Sequence, residues 1–158
     1  MLELRHKPSS ANIIFIGTHL KAKKPFADIR LAQAQGILQY LTEHYSSRAH
    51  VIIAGDFNGD AEEPFYDVIR QAGFSSAYRS MNNDNKEPPF TTWKFRAHDG
   101  VEDEQCRTID YIFYKPEGFV PKAILKLSSK EEIGANGLPS NEYPSDHLAL
   151  ETIFKINV

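Results

Sequence analysis

With 158 residues, 41% of them hydrophobic and 25% charged, the chain fits one globular domain that buries about two-thirds of its unfolded surface. A net charge of −3 excludes a broad basic field for nucleic acid, so an anionic substrate has to be met by a few local cations or a metal. The single cysteine, Cys106, excludes an internal disulfide framework and fits a reducing, cytoplasmic setting; no apolar run approaches the roughly 20 residues of a membrane span, and no signal-peptide core follows Met1.

Residues 1–8 read as an edge strand with Leu2 and Leu4 on one face, turned at residues 8–12 into a buried strand over 12–17 that ends at Thr18-His19-Leu20. A basic loop, Lys21-Ala22-Lys23-Lys24-Pro25, leads to a helix with Asp28 as N-cap and Ile29, Ala32, Ile37, Tyr40 and Leu41 on its inner face. Val51-Ile52-Ile53-Ala54 reads as a strand covered on both faces and runs into Gly55-Asp56-Phe57-Asn58. A second helix is expected over 62–72, with Phe65, Val68, Ile69 and Ala72 inward and Gly73 as its stop.

Residues 81–89 read as a loop and 91–96 as a strand or extended arm; the acidic stretch 98–105 has no period and is expected to be mobile. Strands are expected over 108–114 and 119–127, then a long connection over 128–143. Residues 147–156 alternate as a last strand, with Leu148, Leu150, Thr152, Phe154 and Ile156 on one face. The sum is a mixed α/β (α+β) layer in which two helices cover one face of a sheet.

Four polar stations stand at the ends of, or inside, apolar strands: Thr18-His19, Asp56-Phe57-Asn58, Asp110 within Ile109-Asp110-Tyr111-Ile112, and Ser145-Asp146-His147. A rigid strand end can aim the Asp56 carboxylate and the Asn58 amide at one point, a pairing that suits a divalent cation and a phosphate oxygen. Gly, Asp and Asn are also ordinary turn residues, so this word alone leaves an Asx turn open. A carboxylate inside a strand as apolar as 108–114 needs a partner, and a His147–Asp110 pair would supply one and make a general base. Taken singly, Asp110 capping a turn and a half-exposed His147 remain open.

Mg²⁺, or Mn²⁺, held by a few carboxylates and waters would then support phosphoester hydrolysis. Lys21, Lys23, Lys24 and Arg30 read as a basic cluster beside His19, either a phosphate contact or a solvated loop. Lys94 and Arg96, interleaved with Trp93 and Phe95, suit phosphate recognition with base stacking, or an amphipathic strand. Cys106 has no His arrangement around it in the sequence and reads as inert.

Together the four stations resemble the endonuclease/exonuclease/phosphatase superfamily. The longer words Thr18-His19-Leu20-Lys21-Ala22, Glu87-Pro88-Pro89-Phe90-Thr91-Thr92-Trp93-Lys94 and Tyr143-Pro144-Ser145-Asp146-His147-Leu148 resemble its CCR4-type branch, and within it the nocturnin-like group. The resemblance implies a DNase I-like four-layer α/β-sandwich and Mg²⁺-dependent hydrolysis. In it Asp56 and Asn58 orient water and phosphate, Asp110 orients His147, Asp146 lies near the metal with Asp56, and His19 contacts the scissile phosphate. It further implies Lys21, Lys23 and Arg96 on the phosphates of a nucleotide, NADP(H) with its 2′-phosphate, or else an RNA 3′-end shortened as poly(A). Glu104-Gln105-Cys106-Arg107 stands where poly(A)-shortening relatives carry a base-stacking aromatic, which favours the nucleotide.

The family's catalytic domain is considerably longer than this chain, and its principal metal-binding Glu belongs to an N-terminal half not matched here. Residues 1–158 are therefore expected to form a single domain or half-domain, the C-terminal part of the catalytic domain. Such a part would be poorly active alone or would bind a partner or nucleotide without turnover, its inner sheet face covered by the other half or by a second copy.

Overall fold

The computed structural model describes residues 1–98 and 101–157, with side chains described everywhere in them except at 96–98, 101 and 102. Its centre is a five-stranded sheet in the order β1-β2-β3-β7-β4, with β1 Leu2–Arg5, β2 Asn12–His19, β3 Val51–Asp56, β4 Ser75–Ser76 and β7 Asp110–Tyr114. β2 and β3 run parallel, joined over the top by helix α1 (Ala27–Tyr45); the other neighbours are antiparallel. β1 is the expected edge arm, closed onto β2 by the His6 N–H donating to Ala11 O at 2.8 Å.

One face of the sheet carries Ile14, Ile16, Val51, Ile53, Tyr111 and Phe113, and it is buried beneath α1 and α2 (Pro64–Gln71). Phe57 and Phe65 stack at 5.5 Å between centroids within this core. Two helices on one face is the arrangement the periodicity called for. The opposite face carries Leu2, Leu4, Ile13, Phe15, Ile52, Ala54, Ile112 and Tyr114, which are cross-strand partners and so share a side. Part of it packs against Phe119, Phe154 and Ile156 of a hairpin made by β8 (Phe119–Ile124) and β9 (Thr152–Ile156). Leu2 and Leu4, at its edge, stay exposed.

Several local expectations are corrected. α1 starts at Ala27 with Phe26 at the N-cap position and no side-chain cap, so Asp28 lies in its first turn instead of capping it. Its buried residues are Arg30, Ala34 and Leu41, while Ile29 and Tyr40 are exposed. A charged residue in the inward stripe rotates the apparent apolar face, which is why the hydrophobic pattern misled. α3 (Ala77–Met81) arises in a stretch to which the sequence assigned no element, and α4 (Lys130–Ile133) within the long connection, from a Ser129/Glu132 capping box.

The acidic stretch read as mobile pairs residue for residue as β6 (Val101–Arg107) with β5 (Thr92–His98); Asp99 and Gly100 lie outside the described residues. Its regularity comes from the ladder to β5, a partner that local periodicity cannot reveal. Asp110 is the first residue of β7, not an interior one. The last strand is shorter than its alternation suggested. Residues ahead of β9 are held instead by an isolated bridge of His147 to Thr92 and by the Leu148 N–H donating to Thr91 O at 2.7 Å. Among the described residues no helix is long and apolar enough to cross a membrane.

Candidate active site

β2 and β3 end, and the antiparallel β7 begins, at one edge of the sheet, and the register sets the polar residues there side by side. His19 is the partner of Asp56 across β2–β3, and Asp56 is the partner of Asp110 across β3–β7. By strand parity these residues continue the face that carries Ile52, Ala54 and Ile112. Gly55 sits at φ +144°, where an added Cβ would run into the carbonyl of Thr18. Only glycine lets β3 lie that close to β2 just before Asp56.

The His147 loop brings in the fourth station. His147 Nδ1 lies 2.9 Å from Asp110 Oδ2, and His147 Nε2 lies 4.0 Å from Asp56 Oδ2. An Nδ1–H donated to Asp110 leaves the Nε2 lone pair facing Asp56. His19 Nε2 is 3.4 Å from the same Asp56 oxygen, on a largely exposed ring. Asn58, at φ 53°, closes the turn: its N–H donates to Asp56 Oδ1 at 2.7 Å and its Nδ2 to Leu20 O at 3.0 Å. The Asx turn and the functional pair are therefore one arrangement.

The electrostatics follow from this crowding. Burial raises the Asp56 pKa most, the Asp110 charge raises it further, and the Asn58 N–H and the two imidazoles oppose. The Asp110 hydrogen bond raises the His147 pKa against burial. Asp56, Asp110 and His147 each offer a donor atom within 4.8 Å of the others. Two hard carboxylate oxygens forced together are the donor set a divalent cation relieves, so these residues fit one. Asp146 is not in that group; its carboxylate accepts from Lys94 Nζ at 2.7 Å, and this bond lowers its pKa.

One cavity borders the cluster, and a second borders Asn58 beside it. Asp56 and Asp110 line one of about 480 Å³ that is mostly apolar, between the open sheet face and residues 148–154. Asn58 lines the other, of about 560 Å³, with the cations Lys23, Lys24, Lys94 and Arg107 and the carboxylates Asp103 and Glu104. Lys23, Lys24 and Lys94 thus reach a polar cavity beside the cluster, whereas Lys21 Nζ sits over the Phe26 ring at 5.0 Å. Arg30 does not join them: it is wholly buried on Glu63. The side chain of Arg96 lies outside the described residues.

Trp93 is no stacking platform. It is buried, its Nε1 donates to Glu104 at 2.8 Å, and Lys130 Nζ covers its ring at 4.8 Å. Burial pushes the Cys106 thiol up, away from the thiolate a nucleophile needs.

Thr91 was not singled out in the sequence, where it is one more hydroxyl in a strand. It is wholly buried; its Oγ1 donates to Asp110 Oδ2 at 2.6 Å and accepts the N–H groups of Ile109 and Asp110 at 3.0 and 3.1 Å. Thr92 Oγ1 donates to Asp146 O at 2.7 Å. The pair staples the start of β7 to the His147 loop.

This architecture matches known proteins. A model of the Endonuclease/Exonuclease/phosphatase family matches residues 12–147. Nocturnin of Xenopus laevis is 41% identical over 150 residues, which are 92% of this chain and 37% of that protein. The 3′-5′-exoribonuclease subunit Ccr4 of Debaryomyces hansenii is 28% identical over 178 residues, covering 96% of this chain and 21% of its own. The human nocturnin catalytic domain, solved with a bound sulfate anion, superposes with a TM-score of 0.78 at 30% identity over 98% of this chain and 51% of that one. The chain thus spans about a third of the length of the nocturnin sequence and about half of the solved domain. With its DNase I-like fold and this set of strand-end residues, the chain belongs to the endonuclease/exonuclease/phosphatase family, whose hydrolases act on phosphoester bonds.

Proposed function

We propose that these residues form the acid–base side of a nocturnin-like, divalent-metal-dependent phosphoesterase site acting on the 2′-phosphate of NADP(H) or a closely related nucleotide. The observation that carries the reading is the Asp56–Asp110–His147 cluster beside a cavity lined by Lys23, Lys24 and Lys94. Asp56 and Asp110 would hold Mg²⁺ or Mn²⁺, which supplies neutralisation of charge on the phosphoryl oxygens when bound. His147 Nε2 accepts the proton of the attacking water, and Asp110 keeps that imidazole in one tautomer and stabilises it once charged. Asn58 orients water or a phosphate oxygen, and His19 donates to a non-bridging oxygen. The sulfate held by the human nocturnin domain, a tetrahedral dianion like phosphate, supports the choice of substrate class.

A second reading, removal of nucleotides from an RNA 3′-end, draws on the similarity to Ccr4. It is the weaker one here, because Trp93 is spent on Glu104 and Lys130, which leaves the exposed Phe95 as the one aromatic among the described side chains of β5 open to stack a base. Phosphate release from NADPH is compared with mononucleotide release from oligo(A), using the full-length protein, with Asp56→Ala as control. Phosphate release lost in the variant supports the proposal; oligo(A) shortening with no phosphate released from NADPH overturns it.

A further inference from the structure

Every N–H of the buried Arg30 guanidinium has an acceptor. Nε and Nη2 hold the two oxygens of Glu63 at 2.7 Å. The remaining bonds go to main-chain carbonyls of the loop between β2 and α1: Nη1 to Lys21 O at 2.9 Å and Lys23 O at 2.8 Å, Nη2 to Lys24 O at 3.4 Å. Gln33, one turn further along α1, accepts the Lys21 N–H at 2.9 Å. One helix face therefore grips this loop by its backbone and leaves its lysine side chains free of the grip.

Burying an ion pair is an inefficient route to stability, since apolar residues of similar volume do as well. What an apolar pair cannot do is hold three carbonyls in a fixed array. The loop needs holding: Lys23 has φ 80°, a region that side-chain-bearing residues rarely adopt unaided. The Glu63 carboxylate packs directly against Gly59, where a Cβ would come within 2.5 Å of its Oε2. Gly59 follows Asn58 directly, and Asn58 Nδ2 donates to Leu20 O just before the loop. The Arg30–Glu63 pair thus ties together the two segments, 20–24 and 58–63, that supply Asn58, Lys23 and Lys24 to the polar cavity.

We infer that Arg30 is a positioning residue for substrate affinity: held by Glu63, it locks the basic loop by its carbonyls so that Lys23 and Lys24 meet the phosphates of an anionic nucleotide. The substrate class rests on the function proposed above; the locking of the loop does not.

The test uses the full-length protein, Arg30→Lys, and the double variant Arg30→Met/Glu63→Leu, which keeps the site filled without the carbonyl bonds. Tryptic cleavage after Lys21 and Lys23 in the ligand-free protein reads the loop, and NADPH hydrolysis reads the site. In both variants cleavage is expected to rise about tenfold, while the double variant keeps a melting temperature near wild type. KM for NADPH is expected to rise about tenfold in both, with kcat within about twofold. Wild-type cleavage and KM in the double variant would overturn the inference, as would a loss confined to kcat. If the wild-type protein releases no phosphate from NADPH, the proposed function fails, and the cleavage rates alone decide whether Arg30 locks the loop.

Discussion

Asp56 and Asp110 are direct cross-strand partners at the end of the β3–β7 ladder, two carboxylates on one face with His147 reaching both, Nδ1 at 2.9 Å from Asp110 and Nε2 at 4.0 Å from Asp56. Like charges placed opposite one another destabilise a sheet, and here the repulsion adds to burial in raising the Asp56 pKa. A cation placed between the two carboxylates removes that cost.

Adding Mg²⁺ or Mn²⁺ to metal-free protein is therefore expected to raise its melting temperature, by about 3 kcal/mol of stability at a hundredfold excess over Kd. Asp56→Asn takes one hard anionic ligand away, and the shift should disappear. Differential scanning fluorimetry with and without EDTA reads this directly. A wild-type protein indifferent to both ions would remove the metal from the site.

Asp110→Asn keeps the shape of the side chain but offers His147 an amide where a carboxylate stood. Turnover should fall by at least the roughly 10²–10⁴-fold of a lost or misoriented general base, because the same change also removes one of the two carboxylates proposed to hold the metal. KM should change little, because Asp110 does not line the polar cavity that Lys23, Lys24 and Lys94 border. Steady-state kinetics of phosphate release separates the two constants.

Thr91→Val leaves the Ile109 and Asp110 N–H groups without their buried acceptor. An unsatisfied buried donor costs about 1–3 kcal/mol, so urea unfolding should report a loss in that range. Thr91→Ser retains the hydroxyl and loses one methyl, about 1 kcal/mol or less by transfer arithmetic. A valine variant as stable as wild type would show that the staple at the start of β7 is dispensable.

Away from the site, Glu87 accepts from the Tyr66 hydroxyl at 2.5 Å and is raised above the ordinary carboxylate range, chiefly by burial. The folded state therefore holds this proton more tightly than the unfolded chain. The contribution is present below the unfolded pKa and is lost as pH rises through the folded value. Glu87→Gln should flatten that stretch of the stability curve between mildly acidic and neutral pH. Melting temperatures of both proteins across that range check the sign; parallel curves would clear Glu87 of any role.

The strands that carry the site were legible because β2, β3 and β7 are unbroken apolar runs closed by polar words. Gly55-Asp56-Phe57-Asn58 could be read as an end and as a ligand pair at once. β6 was not legible, since Glu102, Asp103, Glu104 and Gln105 have no strand period of their own and take their order from β5. α1 was found but turned, because Arg30 occupies the middle of its inward stripe. Lys94 and Asp146 were each assigned a separate duty, phosphate and metal, yet the fold bonds them to one another.

By itself, then, the sequence determined the chemical inventory: two aspartates set in or at the end of apolar strands, an asparagine, two histidines and a short basic loop, spaced along apolar runs that must become a helix-covered sheet. Local pattern suffices there, because residue types and apolar runs are properties of neighbours in the chain, whereas the cap of α1 and the start of β7 were not. Only the tertiary structure decided that Asp56 faces Asp110, that Thr91 feeds its hydroxyl to that aspartate, and that Arg30 serves the loop instead of the solvent. Those relations depend on sheet register and on which charges are taken out of water, and both are set by contacts between segments far apart in the chain.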